Sequence, residues 1–332
     1  MLTSSRLKFS GSKNLKPAFL IRRLCLIVPL GLCLLLYHAW YHHDQLATQL
    51  AEHITSVTGL SRQALPPSNY HGFPRKIWYK LGPKGISENS RTWTNSCISQ
   101  NPGYQYEFMT DESADIWVQK TFLSTRPDIV HVYLNLAIPI LKADILRYLL
   151  LYAEGGIWSD LDVSCEGVPM DDWIPEEYRE KTSLVLGWEY DAGLDRSYLH
   201  QFTIWTMLSK PGAAHLKFVI DEIIKTIYQD TESWEISIHE LTHQVFGDVL
   251  DYTGPRAFSR LITKSLEHTL GKPVDRDFIE NIREPVLIDD ILILPGYAFS
   301  RVMNPFSDTD GLTLVTHHYA GSWKNDYGGE LA

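Results

Sequence analysis

The stretch IPILKADILRYLLLYAEGGIWSDLDV, residues 138–163, decides the fold class. Its first part predicts a helix over 138–154, because a proline stands near the start and apolar residues recur at spacings of three and four. Gly155 and Gly156 then end that helix, since glycine readily takes the left-handed conformation found there. Residues 157–163 alternate as a strand does, which predicts that Asp160 and Asp162 project from one face.

The residues before this stretch predict more elements of the same kind. Strands are predicted at 77–79 and 104–109, and helices at 91–99 and 111–121, with a break at Asn101-Pro102-Gly103. Strands that alternate with helices predict an α/β layer fold. A chain of 332 residues is long enough to bury a large core.

The charge of the chain is uneven. Six of the 30 Lys and Arg residues precede Asp44, the first acidic residue, which leaves 24 basic residues against 40 acidic ones and a net charge of −16 beyond that point. The strong negative charge of the chain from Asp44 onward argues against a nucleic-acid partner.

An uncharged, apolar run follows the basic start. The sequence predicts a basic cytoplasmic tail at 1–23, a transmembrane signal anchor at 24–40, a stem at 41–73 and a catalytic domain at 74–332. A cleaved signal peptide is the alternative, but no small-residue cleavage site follows the run. Cys97 and Cys165 form either a disulfide or two free thiols, and the sequence leaves both open.

Asp160 and Asp162 offer two hard oxygen ligands at the end of a predicted strand. Mg²⁺ and Mn²⁺ prefer such ligands and keep positions open for substrate phosphates. Asp144 and Arg147 lie one helical turn apart and point the same way. The alternative for Asp144 and Arg147 is a surface salt bridge. The alternative for Asp160 and Asp162 is that they are polar residues at the end of a strand and bind no ligand.

The combination of these residues resembles the sugar-binding region with a DxD motif of family 32 glycosyltransferases, in particular the fungal α-1,6-mannosyltransferases. The resemblance rests on Ala143-Asp-Ile-Leu-Arg-Tyr148 and Gly155-Gly-Ile-Trp-Ser-Asp-Leu-Asp162, with supporting pieces at 74–78, 101–104, 210–212, 253–255 and 317–323. It implies a single nucleotide-sugar-binding domain of GT-A type with a mixed, mainly parallel sheet. It also implies Mn²⁺ or Mg²⁺, a GDP-mannose donor with UDP-sugars as the alternative, and retention of anomeric configuration.

The resemblance also implies roles for individual residues. Asp144 and Arg147 would contact the sugar and ribose of the donor, with Arg147 assisting departure of the diphosphate. Asp160 and Asp162 would bind the metal ion.

Further donor-site residues are implied by position. Trp158 stands where tyrosine is more usual, and Ser322 and Trp323 would close over the donor phosphates. Residues 313–323 predict a strand, on which the adjacent His317 and His318 face opposite ways. The pattern His-aromatic-x-Gly at 318–321 is similar to that of the C-terminal metal-ligand histidine of glycogenin-like GT-A enzymes. His318, favoured over His317 for this reason, would be a third metal ligand, with a structural histidine as the alternative. Trp78 is a candidate to stack on the nucleotide base, or equally a core residue.

The acceptor, by the same resemblance, is a glycan, a lipid or a small molecule, and the location is the Golgi or endoplasmic reticulum membrane with the catalytic domain lumenal. Two other classes remain alternatives. Asp160-Leu161-Asp162-Val163 also resembles the nucleophile motif of haloacid-dehalogenase-type phosphatases, with Asp289-Asp290 as the acidic partner. A non-catalytic lumenal scaffold or lectin is the third.

Overall fold

Residues 69–191, 200–304, 306–307 and 309–321 are described by the computed structural model of the chain. The predicted tail and anchor, most of the predicted stem, and the site candidates Ser322 and Trp323 lie outside these residues. Within the described part, no helix combines the length and the hydropathy that a bilayer crossing requires. Among the described residues, the first secondary structure is a hairpin at 69–74, slightly before the predicted domain start at Pro74.

A mixed sheet of eight strands forms the centre of the domain, in the order β10-β11-β7-β9-β5-β3-β4 with β8 paired to β7. The strands are β1 (Asn69–Tyr70), β2 (Phe73–Pro74), β3 (Lys76–Lys80), β4 (Gln105–Met109), β5 (Gly156–Ser159), β6 (Val163–Cys165), β7 (Leu184–Tyr190), β8 (Gln201–Phe202), β9 (Thr206–Ser209), β10 (Val286–Ile288), β11 (Ile291–Leu294) and β12 (Val315–His317). β1 pairs with β2, and β12 with β6, in separate two-stranded sheets.

Most strands of the large sheet point the same way. β3 pairs in parallel with β4 and β5, and β11 pairs in parallel with β7. β9 runs antiparallel to both β5 and β7, so these two groups share one direction. The predicted mixed, mainly parallel α/β sheet is confirmed. Its shared carboxyl edge is where ligands bind in folds of this kind.

Helices cover the sheet on both faces. They are α1 (Glu88–Gln100), α2 (Asp111–Phe122), α3 (Pro127–Asn135), α4 (Pro139–Ala153), α5 (Ala214–Ser233), α6 (His243–Phe246), α7 (Val249–Tyr252), α8 (Pro255–Leu270), α9 (Arg276–Ile279) and α10 (Gly296–Ser300). Trp78 and Trp158 pack with α2–α5 and α8, whereas Ile77, Tyr79 and Ile157 pack on the other face with α10 and Cys97 of α1. This split follows from the alternation of side chains along a strand.

The helix predicted at 138–154 is α4, and it is buried nearly all round, as a helix without a polar face must be. The predicted glycine stop is also confirmed. Gly155 and Gly156 have φ of +68° and +94°, and a Cβ on Gly156 would lie 2.5 Å from the backbone oxygen of Lys76. Only glycine fits this close approach to β3.

The strand predicted over 157–163 is divided. β5 ends at Ser159, residues 160–162 form a turn, and β6 begins at Val163. The reason is a change of partner, because Ser159 pairs with Thr206 of β9 whereas Val163–Cys165 pair with β12. The two aspartates therefore lie in a turn at the carboxyl edge. The strand predicted within 313–323 is likewise shorter and covers Val315–His317.

A disulfide joins Cys97 of α1 to Cys165 of β6, across 68 residues of sequence. The structure thus resolves the alternative that the sequence left open. The bond is buried and fastens the strand that begins directly after Asp162 to the helix behind it.

Candidate active site

Arg147 lies between two carboxylates beneath the carboxyl edge of the sheet. Its Nη2 is 3.5 Å from Oδ1 of Asp144 and 3.5 Å from Oδ1 of Asp160, and its Nη1 donates to the backbone oxygen of Ile204 over 3.4 Å. Arg147 and Asp144 are only 6% and 2% exposed. This burial rules out the alternative of a surface salt bridge.

Asp144 is fixed from a second side by Thr253, whose Oγ1 donates to Oδ2 over 2.7 Å. The hydroxyl of Tyr148 in turn donates to the backbone oxygen of Thr253 over 2.8 Å. Burial raises the pKa of Asp144 to about 6, although the charge of Arg147 and the Thr253 hydrogen bond act in the opposite direction. Thr253 belongs to the supporting piece at 253–255, Thr-Gly-Pro, and its contact with Asp144 gives that piece a structural role.

Asp160 is held directly after β5. Its backbone N–H donates to the oxygen of Trp205 over 2.9 Å, and Nε1 of Trp158 donates to its Oδ1 over 2.7 Å. Burial raises the pKa of Asp160, with Asp162 adding to the rise and Arg147 opposing it. Trp158, predicted to bind donor, is itself buried and supports Asp160 from behind.

Asp162 is contacted by the last residue of β12 and by residues that follow it. Nε2 of His317 lies 3.3 Å from Oδ1, and the N–H of Ala320 donates to Oδ2 over 2.9 Å. The N–H of His318 donates to the backbone oxygen of Asp162 over 2.8 Å. Burial alone would raise the pKa of Asp162, but the contacts with His317 and Ala320 outweigh it and the pKa is lowered.

The two adjacent histidines point in different directions, as predicted for neighbours on a strand. His317 stacks on Trp205, with ring centroids 4.6 Å apart, and faces Asp162. His318 stacks on Trp93 at 4.3 Å, and its Nε2 lies 2.9 Å from Oγ of Ser164. The sequence favoured His318 as the metal ligand, whereas the structure brings the side chain of His317 to the carboxylate.

The chemistry of the two aspartates fits a hard divalent cation. Trp158 and Arg147 both contact Oδ1 of Asp160, and within the described residues neither a hydrogen bond nor an ion pair reaches Oδ2. Three buried nitrogens around the site, Arg147 Nε, Trp205 Nε1 and His317 Nδ1, also have no hydrogen-bond partner among the described residues. Two of these nitrogens, Arg147 Nε and Trp205 Nε1, are N–H donors, and buried donors without partners point to a ligand that supplies oxygen atoms.

Trp78 is 1% exposed, and its Nε1 donates to the backbone oxygen of Gly155 over 2.9 Å. The structure therefore supports the alternative of a core residue over a nucleotide-stacking role. Asp289 and Asp290, the acidic partner in the phosphatase alternative, instead contact Nε2 of His215 at 3.1 and 3.3 Å. Within the described residues, this trio is the only group of three potential metal ligands whose ligand atoms all lie within 4.8 Å of one another.

Sequence reasoning missed Glu189, which lies near the carboxyl end of β7 and is 6% exposed. Its Oε2 accepts from Nε2 of Gln201 over 2.6 Å, and its Oε1 accepts from the hydroxyl of Tyr319 over 3.3 Å. Burial raises its pKa, while Gln201 and His317 act in the opposite direction. An acidic residue at the end of an apolar strand was the available signal, since the same signal identified Asp160.

Comparison with known proteins defines the class that this fold and site represent. A family model described as the glycosyltransferase sugar-binding region containing a DXD motif matches residues 87–180, which include α4 and both aspartates. The protein is a glycosyltransferase, and the predicted resemblance to family 32 is confirmed.

Particular relatives are the initiation-specific α-1,6-mannosyltransferases of two yeasts. The protein of Candida albicans is 29% identical over 290 residues, which cover 76% of this chain and 73% of that protein. The protein of Schizosaccharomyces pombe is 32% identical over 273 residues, which cover 77% of this chain and 65% of that protein. A solved structure titled "PaToxG Glycosyltransferase" matches with a TM-score of 0.39 and 16% identity, over 60% of this chain and 79% of that one.

Proposed function

We propose that the protein is a retaining, metal-dependent hexosyltransferase with a GT-A-type catalytic domain, which transfers mannose from GDP-mannose to a hydroxyl group of an acceptor. One observation carries this proposal. Arg147, Asp160 and Asp162 come together at the carboxyl edge of the sheet, beside buried nitrogens that have no partner among the described residues. An arginine beside two acidic metal ligands suits a substrate that carries a diphosphate.

Asp160 and Asp162 would hold Mn²⁺ or Mg²⁺, with His317 as the neighbouring imidazole and His318 as the ligand predicted from sequence. Such an ion, when bound, supplies positive charge that offsets the charge of a leaving diphosphate.

Arg147 would direct its guanidinium donors at the diphosphate, because α4 fixes it in place before substrate arrives. Asp144, oriented by Thr253, would accept a hydrogen bond from a donor hydroxyl group. Trp158 would keep Asp160 in position, and Ser322 and Trp323 would close over the phosphates from the C-terminal side. Retention of configuration follows from the resemblance to family 32.

The proposed setting is the lumen of the Golgi or endoplasmic reticulum, with residues 24–40 as a membrane anchor and 41–73 as a stem. The disulfide between Cys97 and Cys165 supports this setting, because disulfides persist in oxidising compartments. The names of the two yeast relatives favour a glycan acceptor, with a lipid or a small molecule as alternatives.

A ligand-binding panel tests the donor and the metal together. GDP-mannose, UDP-glucose, UDP-galactose and UDP-N-acetylglucosamine are each added with Mn²⁺, and the melting temperature is measured. GDP-mannose should give the largest rise, since a ligand at one hundred times its Kd stabilises the folded state by about 2.7 kcal/mol. A larger shift with a UDP-sugar would overturn the choice of donor while leaving the enzyme class in place.

Asp162→Asn tests the metal site itself. The change keeps the size of the side chain and removes a negative charge from a hard-cation site, so transfer should fall by about a hundredfold or more. Asp172→Asn is a matched control, because Asp172 is an exposed aspartate paired with Arg179 at 3.8 Å. Near-normal turnover of Asp162→Asn at saturating Mn²⁺ and donor would contradict the proposal.

A further inference from the structure

The segment 317–320 crosses directly over Asp162 and is bonded to it from several atoms. Nε2 of His317, the N–H of His318 and the N–H of Ala320 all contact Asp162, at 3.3, 2.8 and 2.9 Å. Tyr319 belongs to the same segment, and its ring packs against the ring of His317, with centroids 4.0 Å apart. Its backbone has φ of +51°, the left-handed region that a tyrosine rarely adopts.

The hydroxyl of Tyr319 reaches a carboxylate on the central sheet. It donates to Oε1 of Glu189 over 3.3 Å and lies 3.4 Å from Oγ of Ser300. The other oxygen of Glu189 accepts from Gln201 over 2.6 Å. Because a hydrogen bond to an ionised group is about twice as strong as a neutral one, this partly buried contact can hold an unfavourable backbone conformation.

We propose that Glu189 is a positioning residue, which holds the segment 317–320 against Asp162 through the hydroxyl of Tyr319. The inference rests on the proposed function, in which Asp162 and His317 belong to the cation site. Glu189 acts from behind that site, as carboxylates and carbonyls commonly orient residues that bind metal.

The backbone of Glu189 is held independently of its side chain. Asn304 Nδ2 donates to the backbone oxygen of Glu189 over 3.0 Å, and the neighbours Trp188 and Tyr190 are paired with β8. A change confined to the Glu189 carboxylate should therefore alter the contact with Tyr319 and leave β7 in place.

The test uses Glu189→Gln, Tyr319→Phe and the double variant of the full-length protein, with two readouts. The first is hydrogen exchange, measured by mass spectrometry on a peptide covering residues 315–321. Both single variants should exchange faster in this peptide, because the amides of His318 and Ala320 lose their fixed acceptors on Asp162. The second readout is the Kd for Mn²⁺, measured by electron paramagnetic resonance. It should rise roughly tenfold in each single variant, the lower end of the effect seen when such supporting residues are changed.

The double variant identifies the route. If Glu189 acts through the Tyr319 hydroxyl, the double variant should be no worse than the more affected single variant. Glu154→Gln and Tyr228→Phe are matched controls, because Glu154 accepts from Trp117 and Tyr228 bonds to His131 away from this segment. Both should match the wild type in the two readouts.

The outcomes separate this inference from the proposed function. Exchange at 315–321 that is unchanged in both single variants would overturn the inference, as would effects that multiply in the double variant. A wild-type protein that binds no Mn²⁺ would instead overturn the metal dependence of the proposed function, and with it the expected effect of Glu189 on Mn²⁺ affinity. Faster exchange in the single variants with an unchanged Kd for Mn²⁺ would also overturn that expected effect.

Discussion

Replacement of Arg147 by lysine separates the catalytic contribution of the guanidinium from its structural one. Arg147 lies 3.5 Å from a carboxylate oxygen of Asp144 and 3.5 Å from one of Asp160. Lysine keeps the positive charge that these two buried carboxylates require. It loses the planar fork that can present two donors to one phosphate group.

The expected magnitudes follow from these distances. At 3.5 Å and an effective dielectric constant of about 20, each carboxylate attracts the guanidinium by about 5 kcal/mol before the cost of desolvation. Arg147→Met removes both attractions and should destabilise the fold by about 3–5 kcal/mol, as expected when a buried ion pair loses one partner. Arg147→Lys should cost about 1–2 kcal/mol, since most of the attraction remains. Its kcat/KM should nevertheless fall about a hundredfold, because one preorganised donor contributes that much to stabilising developing charge.

The assay measures transfer from GDP-mannose and urea unfolding for both variants. Arg126→Lys is a matched control, because Arg126 also bridges two carboxylates, Asp128 and Asp221, both at 2.7 Å, and lies on a different surface. It should show wild-type transfer. If Arg147→Lys transferred mannose at the wild-type rate while the fold remained intact, the guanidinium would have no role at the diphosphate.

Two further predictions concern stability. Replacing Cys97 and Cys165 together by alanine should cost about 4 kcal/mol, the loop entropy expected for a bond that spans 68 residues, and the midpoint of urea unfolding measures it. An unchanged midpoint would mean that the bond does not form in solution. Burial alone would lower the pKa of His215, but Asp290 and Asp289 outweigh it and raise the pKa. The stability from this contact is therefore complete below about pH 6.5 and is lost as the pH rises through the folded-state pKa. The difference in unfolding free energy between wild type and His215→Asn should accordingly narrow from pH 6 to pH 9, and a constant difference would contradict the assignment.

Local sequence signals located most elements near α4 correctly. β3, α1, β4 and α2 all lie where the sequence predicts them, and their ends are set by nearby residues. Ser87 accepts from the N–H of Ser90 at the start of α1, and Thr110 forms a reciprocal capping box at the start of α2. Such caps act within a few residues of the chain, so they can be recognised without knowledge of the fold.

The division between β5 and β6 could not be predicted in the same way. Alternation over 157–163 is equally compatible with one strand or two. The choice depends on β9 and β12, whose pairing residues are some 50 and 150 positions further along the chain. The sequence predicts that Asp160 and Asp162 project from one face of a strand, whereas they lie in the turn between β5 and β6.

The candidate site shows the same limit. Asp144, Arg147 and Asp160 are close in the chain: helical spacing pairs Asp144 with Arg147, and the resemblance to family 32 groups this pair with Asp160. Glu189 and Tyr319 are separated by 130 residues, and only the return of the C-terminal segment to the sheet edge brings them into contact. Which of His317 and His318 faces Asp162 is likewise decided by how the C-terminal segment returns to the sheet edge.

The two aspartates of the DxD motif are held by separate parts of the chain. Asp160 is contacted by the guanidinium of Arg147 and accepts a hydrogen bond from the indole Nε1 of Trp158, and both residues lie within 13 positions of it in the chain. Asp162 has His317 and the N–H of Ala320, supplied from the C-terminal segment. Two carboxylates this close repel each other, and separate partners offset that repulsion before a cation is present. For the proposed cation, this arrangement would present two oxygen ligands already in position, so that binding need not first order them.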